Sequence, residues 1–592
     1  MPAESGPRPA TRVWRAGLVL ALLLALSFVV VAPPERCPSV SADELRRSSQ
    51  AAVDWFVRNQ EPDGSWLYEY DADDDSTSSE YNEVRHAGVT MGLYQAAAAG
   101  LPGALRSGDR GTEWALDRLF TGDGWAALEG QGRVTAGASA LLVAGLVIRR
   151  DATGDTQYDD VLVRLGRFLV AQTEPSGAVL AEYDTARGAP VPGEYSKYYT
   201  GEAYWALALL HRAFPGGRWG ETADRIGAYL ATSRDEAEDH WPPVPDHWAA
   251  YAQAETVEFP DRGRPPLTED EAHYAREQAD LFGVQARWLA QWHGPWGRVV
   301  RGSYEARGGW YGVVGEALTG WWLVANEDPR MGDLREPIAA RAGCIAGLAL
   351  DEQSDATDAA GAVRPERVEG AWFIDGVTRM DDQQHALAAL LRTIPIVEVE
   401  SSDDGDAAPS GWLWALALVL ALNPARAAFG VPRRSSPSAV ELAAVGGVIG
   451  GLAVCAVAAI GGPLLEALDV SEPSFRLAAG IVALLAGAAD LFRRPPASEP
   501  ALAGRRAALV PVAIPLVTRP ALLVLALGAG ADRAVLVSVG ALAVALALLI
   551  GLAARSPTEG PGGRVLRWAA RLLAVALVAC GALLAVDGVL DV

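Results

Sequence analysis

Four carboxylates in the middle of the chain are candidates for acid and base chemistry. They are Glu202, Asp246 and the adjacent pair Asp381 and Asp382. Each lies at or near the start of an apolar helical segment, and an adjacent acid raises the pKa of its neighbour, which can then donate a proton at neutral pH. Hydrolysis of a glycosidic bond requires two carboxylates at a fixed separation. The sequence therefore predicts general acids or bases here; the alternative is that such residues cap helices, as Asp381 can.

Aromatic, cationic and histidine side chains accompany these acids. Aromatic rings stack on the apolar faces of sugars, while charged and amide groups form hydrogen bonds with the hydroxyls. Arg85 and His86 could bind a uronate or another acidic group, or His86 could shuttle a proton. The predicted substrate-binding residues are Glu83, Arg85, His86, Tyr199, His247, Trp248, Trp310, Glu316 and His385.

Several kinds of site and partner are not predicted. The histidines show no HExxH or other metal-ligand spacing, so no zinc site is expected. There is no glycine-rich phosphate loop and no G-x-S-x-G turn, and no cofactor is predicted. The net charge of −23 is concentrated in the middle of the chain. This charge excludes nucleic acid as a partner, because phosphate binding needs a basic face.

A repeat in the sequence predicts how these residues are positioned. DWFVRNQEPDGSWLYEYD (54–71) recurs as GRFLVAQTEPSGAVLAEYD (166–184), and EYNEVRHAG (80–88) corresponds to GEYSKYYTGEA (193–203). A fainter third copy follows as WLAQWHGPWGRVV (288–300) and YGVVGEALTGWW (311–322). Three copies of a helical unit indicate a repeat architecture.

Each repeat has room for two helical hairpins, so residues 40–396 are predicted to form an all-α (α/α)6 toroid. The second helix of each pair lines the inside, and the starts of these inner helices meet at one mouth. The predicted pairs are 43–59 with 82–99, 111–121 with 134–149, 158–172 with 197–213, 219–233 with 245–256, 268–291 with 311–325, and 335–350 with 380–393.

This ring resembles the six-hairpin glycosidases, which include unsaturated-uronyl hydrolases and sugar epimerases, in its hairpin number and its aromatic rim. A second resemblance is to the squalene-hopene and class II terpene cyclases. Gln60–Trp66 (QEPDGSW) follows their Q-x3-G-x-W turn, and residues 71–74 (DADD) follow their acid motif D-x-D-D. Here the acids lie in a loop rich in Ser and Thr, which predicts a solvated surface, with a calcium site as the alternative.

The first 34 residues predict export. Residues 1–15 are basic, and residues 16–33 are apolar over a length suited to an uncleaved signal anchor, with a cleavable signal peptide as the alternative. Either way the toroid lies outside the cytoplasm. Cys37 and Cys344 could pair in such an oxidising compartment, whereas Cys455 and Cys580 are expected to pack inside a membrane.

After a linker (397–410), residues 411–592 predict a six-helix membrane domain. The apolar segments are 411–429, 440–460, 474–492, 507–529, 534–553 and 567–588. Arginines fall in every second connection, which places those connections in the cytoplasm. The chain is therefore predicted to be a multi-pass cell-membrane protein whose N-terminus is cytoplasmic and whose toroid and C-terminus are outside.

Within these segments LNPARAAFGVP (422–432), LDVSEPSFRLAAGIVALLAG (468–487) and ALVPVAIPLVTRPALL (508–523) resemble the MarC family, related to LysE-type exporters. The resemblance implies a transporter-like architecture. Asn423, Pro424 and Pro515 lie at corresponding places of two three-helix halves, the pattern of broken helices near a transport site; the alternative is simple kinks. Arg519 is predicted to face an anionic ligand, to pair with an acid such as Asp490, or to lie in a wetted re-entrant loop.

Together these features predict an exported toroid that binds or processes carbohydrate, as a glycoside hydrolase, lyase or epimerase does, fused to a MarC-like transporter domain. One alternative is a non-catalytic toroid that senses a ligand for the membrane domain. Another is an enzyme of the terpene cyclase type. The predicted partners are the lipid bilayer and a glycan ligand.

Overall fold

The computed structural model describes residues 35–590 except 131, 239–243, 260–262, 264, 295–296, 302–306, 401–410, 433–437, 468–469, 471, 494–503, 532–534 and 556–559. The predicted basic N-terminus, the signal anchor and most of the linker lie outside the described residues. The chain divides into two compact units. One holds the described residues of 37–290 and 307–400, and the other holds those of 35–36, 291–301 and 411–590.

Twelve long helices in the described part of the first region form six hairpins, as predicted. The outer helices are α1 (Ala42–Arg58), α3 (Ala104–Leu116), α5 (Asp159–Gln172), α7 (Trp219–Thr232), α9 (Glu269–His293) and α11 (Arg335–Asp351). The inner helices are α2 (Glu83–Ala98), α4 (Ala136–Thr153), α6 (Tyr199–Ala213), α8 (His247–Thr256), α10 (Gly308–Glu327) and α12 (Met380–Glu400). Short helical segments in the connections are Arg234–Ala237, Gly297–Arg301, Pro329–Leu334, Ala356–Ala359 and Pro365–Val368.

The inner helices close into a ring. Each packs against the next in chain order, and α12 returns to pack against α2. Residues of α6 and α8 are buried on nearly every face, as expected for helices with other helices on all sides. Outer helix α1 is instead amphipathic and begins with a capping box in which Ser41 and Glu44 bond to each other's backbone N–H. The all-α class and the toroid are therefore confirmed.

In the described part of the chain, eight short strands join the hairpins, where almost none were expected. They are β1 (Glu69–Asp71), β2 (Ser76–Thr77), β3 (Leu119–Thr121), β4 (Ala126–Gly130), β5 (Arg133–Thr135), β6 (Glu182–Asp184), β7 (Ala189–Pro190) and β8 (Val377–Arg379). They form antiparallel sheets of order β2-β1-β8 and β3-β4-β5-β6-β7. In the first sheet Tyr70 pairs with both Thr77 and Thr378, which links the first hairpin to the last. Strands this short carry too little alternation to be recognised in a sequence.

The segment QEPDGSW forms the tight turn that ends α1. Gln60 and Trp66 pair as an antiparallel bridge, and the Gln60 amide donates to the carbonyls of Gly64 and Ser107, each at 3.0 Å. Gly64 has φ +97°, and a Cβ at this position would lie 2.3 Å from the carbonyl oxygen of Arg110 on α3. Glycine is therefore required there, and the turn fastens the first hairpin to the second.

The second copy of this turn follows α5, as the repeat predicts. Thr173 and Val179 form the bridge, and Gly177 has φ +100°. A Cβ on Gly177 would lie 2.2 Å from the carbonyl oxygen of Arg225 on α7, so this turn fastens the third hairpin to the fourth.

The predicted third copy, in the segment 288–300, falls partly outside the described part of the chain: α9 continues to His293, and residues 295–296 are not described. A turn of this kind that was not predicted occurs after α11, where Gln353 bridges to Trp372 and Gly370 has φ +86°. Residues 354–369 separate the glutamine from the glycine, and this insertion hides the motif in the sequence.

The acidic segment after β1 is a hairpin tip. Asp71 accepts hydrogen bonds from the backbone N–H groups of Asp73 and Asp74, which are both exposed. Asp75 pairs with Arg364 at 3.0 Å. An exposed tip cannot hold an acid in the buried environment that the cyclase alternative requires, so that alternative is not supported.

A disulfide joins Cys37 to Cys344 on α11, which is the predicted pairing. The segment around Cys37 packs closely against α11, since a Cβ on Gly347 would lie 2.4 Å from the carbonyl oxygen of Pro38. Cys455 and Cys580 are free.

All six predicted membrane segments contain helix. The helices are α13 (Gly411–Leu422), α14 (Pro424–Gly430), α15 (Ala439–Ala459), α16 (Glu472–Phe492), α17 (Pro520–Ala531), α18 (Val535–Arg555) and α19 (Gly560–Leu590), with short segments at Gly461–Ala467, Gly504–Ala508 and Leu509–Val517. Among the described residues, four helical stretches are long and apolar enough to cross a membrane. Arg505–Val517 with Pro520–Ala531, bent by 65°, would make a fifth span, and Val539–Ala554 is a shorter apolar helix.

Candidate functional site

A cavity of about 690 Å³ opens where the inner helices begin. All six inner helices contribute to its wall, together with Phe282 and Gln285 of α9. The predicted convergence of the inner-helix starts is therefore observed. Nine of the predicted site residues line the cavity, and these are Arg85, Tyr199, Glu202, His247, Trp248, Trp310, Asp381, Asp382 and His385.

Two histidines face each other in this cavity. His247 is the first residue of α8, His385 lies in the second turn of α12, and their ring centroids are 5.3 Å apart with the rings near perpendicular. His385 Nδ1 lies 2.6 Å from Oε2 of Glu316 on α10. The Glu316 carboxylate also accepts a hydrogen bond from the Tyr251 hydroxyl at 2.9 Å. Glu316, a predicted binding residue, is thus buried behind His385 and orients it.

The environments of the two histidines drive their protonation in opposite directions. Burial lowers the pKa of His247 well below its ordinary value, and the nearby charge of His385 lowers it further. Neither ring nitrogen of His247 has a hydrogen-bond partner among the described residues. Burial also opposes the charged form of His385, but the charge and hydrogen bond of Glu316 outweigh it, so the pKa of His385 is raised. The pair therefore combines a neutral imidazole with one that favours the protonated form.

Glu202 is a buried carboxylate with an open hydrogen-bonding oxygen. It lies in the first turn of α6, only 3 % exposed, and its Oε2 has no partner among the described residues. Burial and the charge of Asp246 raise the pKa of Glu202 to about 8. At neutral pH Glu202 is therefore mostly protonated and can donate a hydrogen bond or a proton into the cavity.

The adjacent acids on α12 differ in their partners. Asp381 accepts hydrogen bonds from Arg85 at 3.0 Å and from Arg379 at 2.5 Å. Burial raises the pKa of Asp381, but the hydrogen bond from Arg379 and the charge of Arg85 outweigh it, and the net effect lowers the pKa. Asp382 accepts from the backbone N–H of Gly309 at 3.2 Å, and burial and the charge of Asp381 raise its pKa.

Asp246, predicted as a general acid or base, does not line the cavity. It caps α8 by accepting from the N–H of Ala249, and its Oδ2 lies 2.7 Å from Nη1 of Arg234. Both side chains of this ion pair are almost fully buried. Burial opposes the charge of Arg234, yet the attraction of Asp246 outweighs it and the pKa of Arg234 is raised. The structure therefore assigns Asp246 to capping and ion pairing.

Glu83 and His86, predicted as binding residues, also lie outside the cavity lining. The Glu83 carboxyl group packs against Gly130 in β4. His86 is fully buried, with Nδ1 2.7 Å from the Tyr81 hydroxyl and its ring stacked on Trp114 at 4.0 Å. Burial lowers the pKa of His86 to about 3, so it stays neutral and serves packing. Arg85 and His86 are neighbours in sequence but point to opposite sides of α2.

The cavity wall has an aromatic side. Trp310 stacks on Trp288 with centroids 5.1 Å apart, and its indole N–H donates to Gln285 at 3.0 Å. Trp248 and Tyr199 also line the cavity.

Three residues of the cavity lining were not predicted from the sequence, and these are Gln285, Gln384 and Arg307. Arg307 is the residue before α10, and only this position before an inner helix could have indicated it.

One cluster of the described residues could hold a metal ion. Ligand atoms of His247, Glu316 and His385 lie within 4.8 Å of one another. The sequence predicted no metal site, because these residues come from three different helices and leave no local spacing. The 2.6 Å separation of His385 Nδ1 and Glu316 is that of a charge-assisted hydrogen bond.

The predicted transport residues surround a break in the first membrane helix. Asn423 has φ +47°, caps α14 through the N–H of Arg426, and donates to the carbonyl of Ala570 at 2.9 Å. Pro424 begins α14. Pro515 lies in the irregular segment before the bend at Arg519.

Arg519 is held by Asp490. Its Nη2 donates to both oxygens of the Asp490 carboxylate, at 2.8 and 2.7 Å, and its Nη1 donates to the carbonyl of Ala421 at 2.7 Å. Of the predicted alternatives for Arg519, the structure shows the pair with Asp490. Arg426 joins the same carboxylate at 3.2 Å.

No family model matches this chain, and no curated protein matches it. The resemblance to the MarC family therefore has no support from these comparisons. Among solved structures, the cellobiose 2-epimerase of Spirochaeta thermophila DSM 6192 is similar at 16 % identity and a TM-score of 0.42, over 65 % of this chain and 98 % of that chain. A GH76 α-mannanase of Bacteroides thetaiotaomicron is similar at 9 % identity and a TM-score of 0.42, over 62 % of this chain and 98 % of that chain.

A third similar structure is an unsaturated glucuronyl hydrolase specific for heparin, at 10 % identity and a TM-score of 0.40, over 61 % of this chain and 98 % of that chain. The TM-scores of all three structures lie below 0.5.

Proposed function

We propose that the toroid is a carbohydrate-active enzyme that moves a proton on a sugar, as an epimerase or aldose–ketose isomerase does. The observation that carries this proposal is the facing pair His247 and His385, one neutral and one favouring the protonated form. The cavity volume of about 690 Å³ and its aromatic wall suit one or two sugar rings.

The chemistry follows from the two imidazoles. In the open-chain form of a reducing sugar, the carbon next to the carbonyl bears a weakly acidic proton. Neutral His247 accepts this proton, and the electron pair of the broken C–H bond forms the C=C bond of an enediolate, whose negative charge lies on the former carbonyl oxygen. Protonated His385 then returns a proton to the opposite face of carbon 2, which re-forms the original carbonyl. Alternatively His385 protonates carbon 1, the hydroxyl proton on carbon 2 moves to the oxygen on carbon 1, and the carbonyl forms at carbon 2; in both cases exchange with solvent restores the two imidazoles. The first outcome is epimerisation and the second is isomerisation, and both need general acid and base groups matched in this way.

Glu316 and Tyr251 act behind this pair. The Glu316 carboxylate keeps a proton on His385 and fixes its ring orientation through the 2.6 Å contact. The Tyr251 hydroxyl holds the other oxygen of Glu316. Loss of Glu316 should therefore lower the pKa of His385 and reduce its capacity as an acid.

The surrounding protein is proposed to be an exported, membrane-tethered assembly. The disulfide between Cys37 and Cys344 supports an oxidising compartment for the toroid. The membrane helices, with breaks at Asn423 and at the bend near Arg519, support a transporter-like unit. In this proposal the N-terminus is cytoplasmic, and the toroid and the C-terminus are outside.

The test uses the full-length protein in detergent or nanodiscs. Reducing mono- and disaccharides are incubated with it in D2O, and deuterium at carbon 2 is followed by NMR. We expect exchange in the wild type and a loss of roughly 10²- to 10⁴-fold in His247→Ala and in His385→Ala. His273→Ala is the control, since His273 is exposed on α9 and outside the cavity lining.

Three results would count against proton transfer. Sugar binding without exchange in the wild type favours the non-catalytic sensing alternative. Exchange that survives in His247→Ala removes the assigned base. A rate that disappears with a chelator and returns with a divalent cation assigns His247, Glu316 and His385 to a metal instead.

Glycoside hydrolysis is a second candidate, because Glu202 offers a proton donor with a pKa of about 8. Asp382 or Asp381 would act as the second carboxylate. Aryl glycosides release a coloured phenol if this reaction occurs. Glu202→Gln should abolish that release and leave proton exchange at carbon 2 measurable, which separates the two candidates.

A further inference from the structure

The cavity mouth gathers positive charge in a strongly acidic protein. The chain carries a net charge of −23, and Lys197 is its only lysine. That lysine lines the cavity beside Tyr198, with its Nζ 5.2 Å from the ring centroid. Arg307, Arg85 and Arg379 line the same cavity.

Two of these cations are already neutralised in part. Arg85 and Arg379 share Asp381, and Arg85 also bonds to the Tyr68 hydroxyl. Asp381 therefore balances one of the two charges.

The other two cations remain available. The contact of Arg307 with Asp382 is long, at 3.9 Å, and the Arg307 side chain is 34 % exposed. Lys197 is exposed, and among the residues that the structure describes no carboxylate pairs with its amine. Lys197 comes before α6 and Arg307 before α10, so they approach the cavity from different parts of the ring.

The acids of the lining do not cancel this charge. Glu202 is mostly protonated at neutral pH, because its pKa is raised to about 8. The lining then offers the charges of Lys197, Arg85, Arg307 and Arg379 against those of Asp381 and Asp382. A neutral sugar needs no such excess, whereas a carboxylate or phosphate bound to a sugar is recognised by guanidinium and ammonium groups.

We propose that the sugar bound in this cavity is anionic, and that Arg307 and Lys197 bind its carboxylate or phosphate group. This inference rests on the proposed carbohydrate function and names its substrate class. Uronic acids and sugar phosphates share the required chemistry, and the experiment distinguishes them.

Binding is measured on the full-length protein by calorimetry with matched sets of ligands. Each set contains a neutral hexose, its 6-phosphate and its uronic acid, in the gluco, galacto and manno configurations. We expect at least about tenfold tighter binding of one anionic member than of its neutral partner at low ionic strength, weakening as salt screens the charges. Whether the acid or the phosphate binds tighter identifies the source of the charge.

Variants assign the effect to residues. Arg307→Gln and Lys197→Gln should each reduce the ratio of anionic to neutral affinity severalfold, whereas Arg307→Lys should retain most of it. Arg187→Gln is the matched control, because Arg187 is 77 % exposed at a hairpin outside the cavity lining. Circular dichroism checks that each variant is folded.

The single lysine allows an independent measurement. An amine-acylating reagent modifies only Lys197 and the N-terminal amine, and the latter is an internal standard in the same sample. The anionic sugar that binds best should slow modification of Lys197 and leave the N-terminal amine unaffected. Unchanged modification of Lys197 under saturating ligand contradicts the assignment.

The possible failures are distinguishable. If neutral sugars bind and exchange their carbon-2 proton while the charged members bind no tighter, the inference is wrong and the proton-transfer proposal stands. If the anionic preference persists in both glutamine variants, Arg307 and Lys197 are not its cause. If no sugar of any charge binds or protects Lys197, both proposals are wrong.

Discussion

Two neighbouring inner helices of the toroid begin with a buried carboxylate, and the two carboxylates have different environments. Asp246 at the start of α8 is paired with Arg234 and caps its helix. Glu202 in the first turn of α6 lines the cavity, and one of its oxygens has no partner in the part of the chain that the structure describes. Burial is nearly complete in both. The comparison shows that partners, and not burial, separate a structural acid from a reactive one.

The largest loss of stability is expected from Asp246→Asn. Removing the carboxylate charge takes away the closer of the two counter-ions of the buried Arg234 guanidinium and leaves only Glu238, at 3.4 Å, which costs about 3 kcal/mol in the free energy of unfolding. Urea unfolding followed by circular dichroism measures this. Arg234→Met combined with Asp246→Leu should recover part of the loss, since both charges of this pair are then absent and Glu238 keeps its hydrogen bond from the Tyr229 hydroxyl. A single variant as stable as the wild type would show that the pair does not hold the helix start.

Asp381→Asn should have a smaller cost, about 1–3 kcal/mol, because Asp381 is partly exposed and its partners Arg85 and Arg379 can reach water. The pKa of Asp381 is lowered in the folded protein. Its stabilisation is therefore present above the ordinary pKa of 3.8 and is lost as the pH falls below it. The difference between variant and wild type should shrink in acid, and a constant difference would contradict the ion-pair account.

Glu202→Gln is expected to stabilise the protein at pH 8 by about 2–4 kcal/mol, because each unit of the raised pKa is worth about 1.4 kcal/mol. The unfolded chain releases the proton of Glu202 above its ordinary pKa of 4.5, while the folded protein keeps it until about pH 8. Stability of the wild type thus falls between these values, and the variant should lack this decrease. Thermal unfolding at pH 4.5 and at pH 8 compares the two proteins. A gain of equal size at both pH values would point to packing instead of charge.

The smallest effect is expected where acids are exposed. Replacing both Asp73 and Asp74 by Asn should change the free energy of unfolding by less than about 0.5 kcal/mol, because their side chains lie at a hairpin tip in solvent. Proton exchange on the sugar should also be unchanged. Added calcium that raises the melting temperature of the wild type alone would revive the calcium alternative for this loop.

Much of the toroid could be predicted because its helices and turns are determined by residues that lie close together in the sequence. Helical periodicity and the repeated turn identified all six hairpins, and the rule that inner-helix starts converge placed nine predicted residues in one cavity. The roles could not be predicted in the same way. Asp246 and Glu202 occupy similar positions in the sequence, and Arg234, which pairs with Asp246, distinguishes them. Arg234 lies on a helix of four residues, which is too short to be recognised from hydrophobic periodicity.

The facing pair of histidines shows the same limit. His385 and His247 were grouped with other binding residues, because their separation depends on how α8 and α12 meet in the ring. His86 had an equally suitable position in the sequence, at the start of α2, yet its side chain faces Trp114 and the core. Adjacent residues of a helix are rotated by about 100° from each other, and this rotation puts Arg85 in the cavity wall and His86 in the core. A pattern of residue types does not specify it.

The disulfide between Cys37 and Cys344 has a topological consequence. It closes a covalent loop with a sequence separation of 307 residues, which contains five complete hairpins and the part of the sixth outer helix that precedes Cys344. A single proteolytic cut anywhere in that loop leaves the two pieces joined as one molecule until a reductant separates them. A toroid cleaved once in an oxidising environment would therefore keep all the strands and helices that form its cavity. The cleavage would be detected only by gel electrophoresis under reducing conditions.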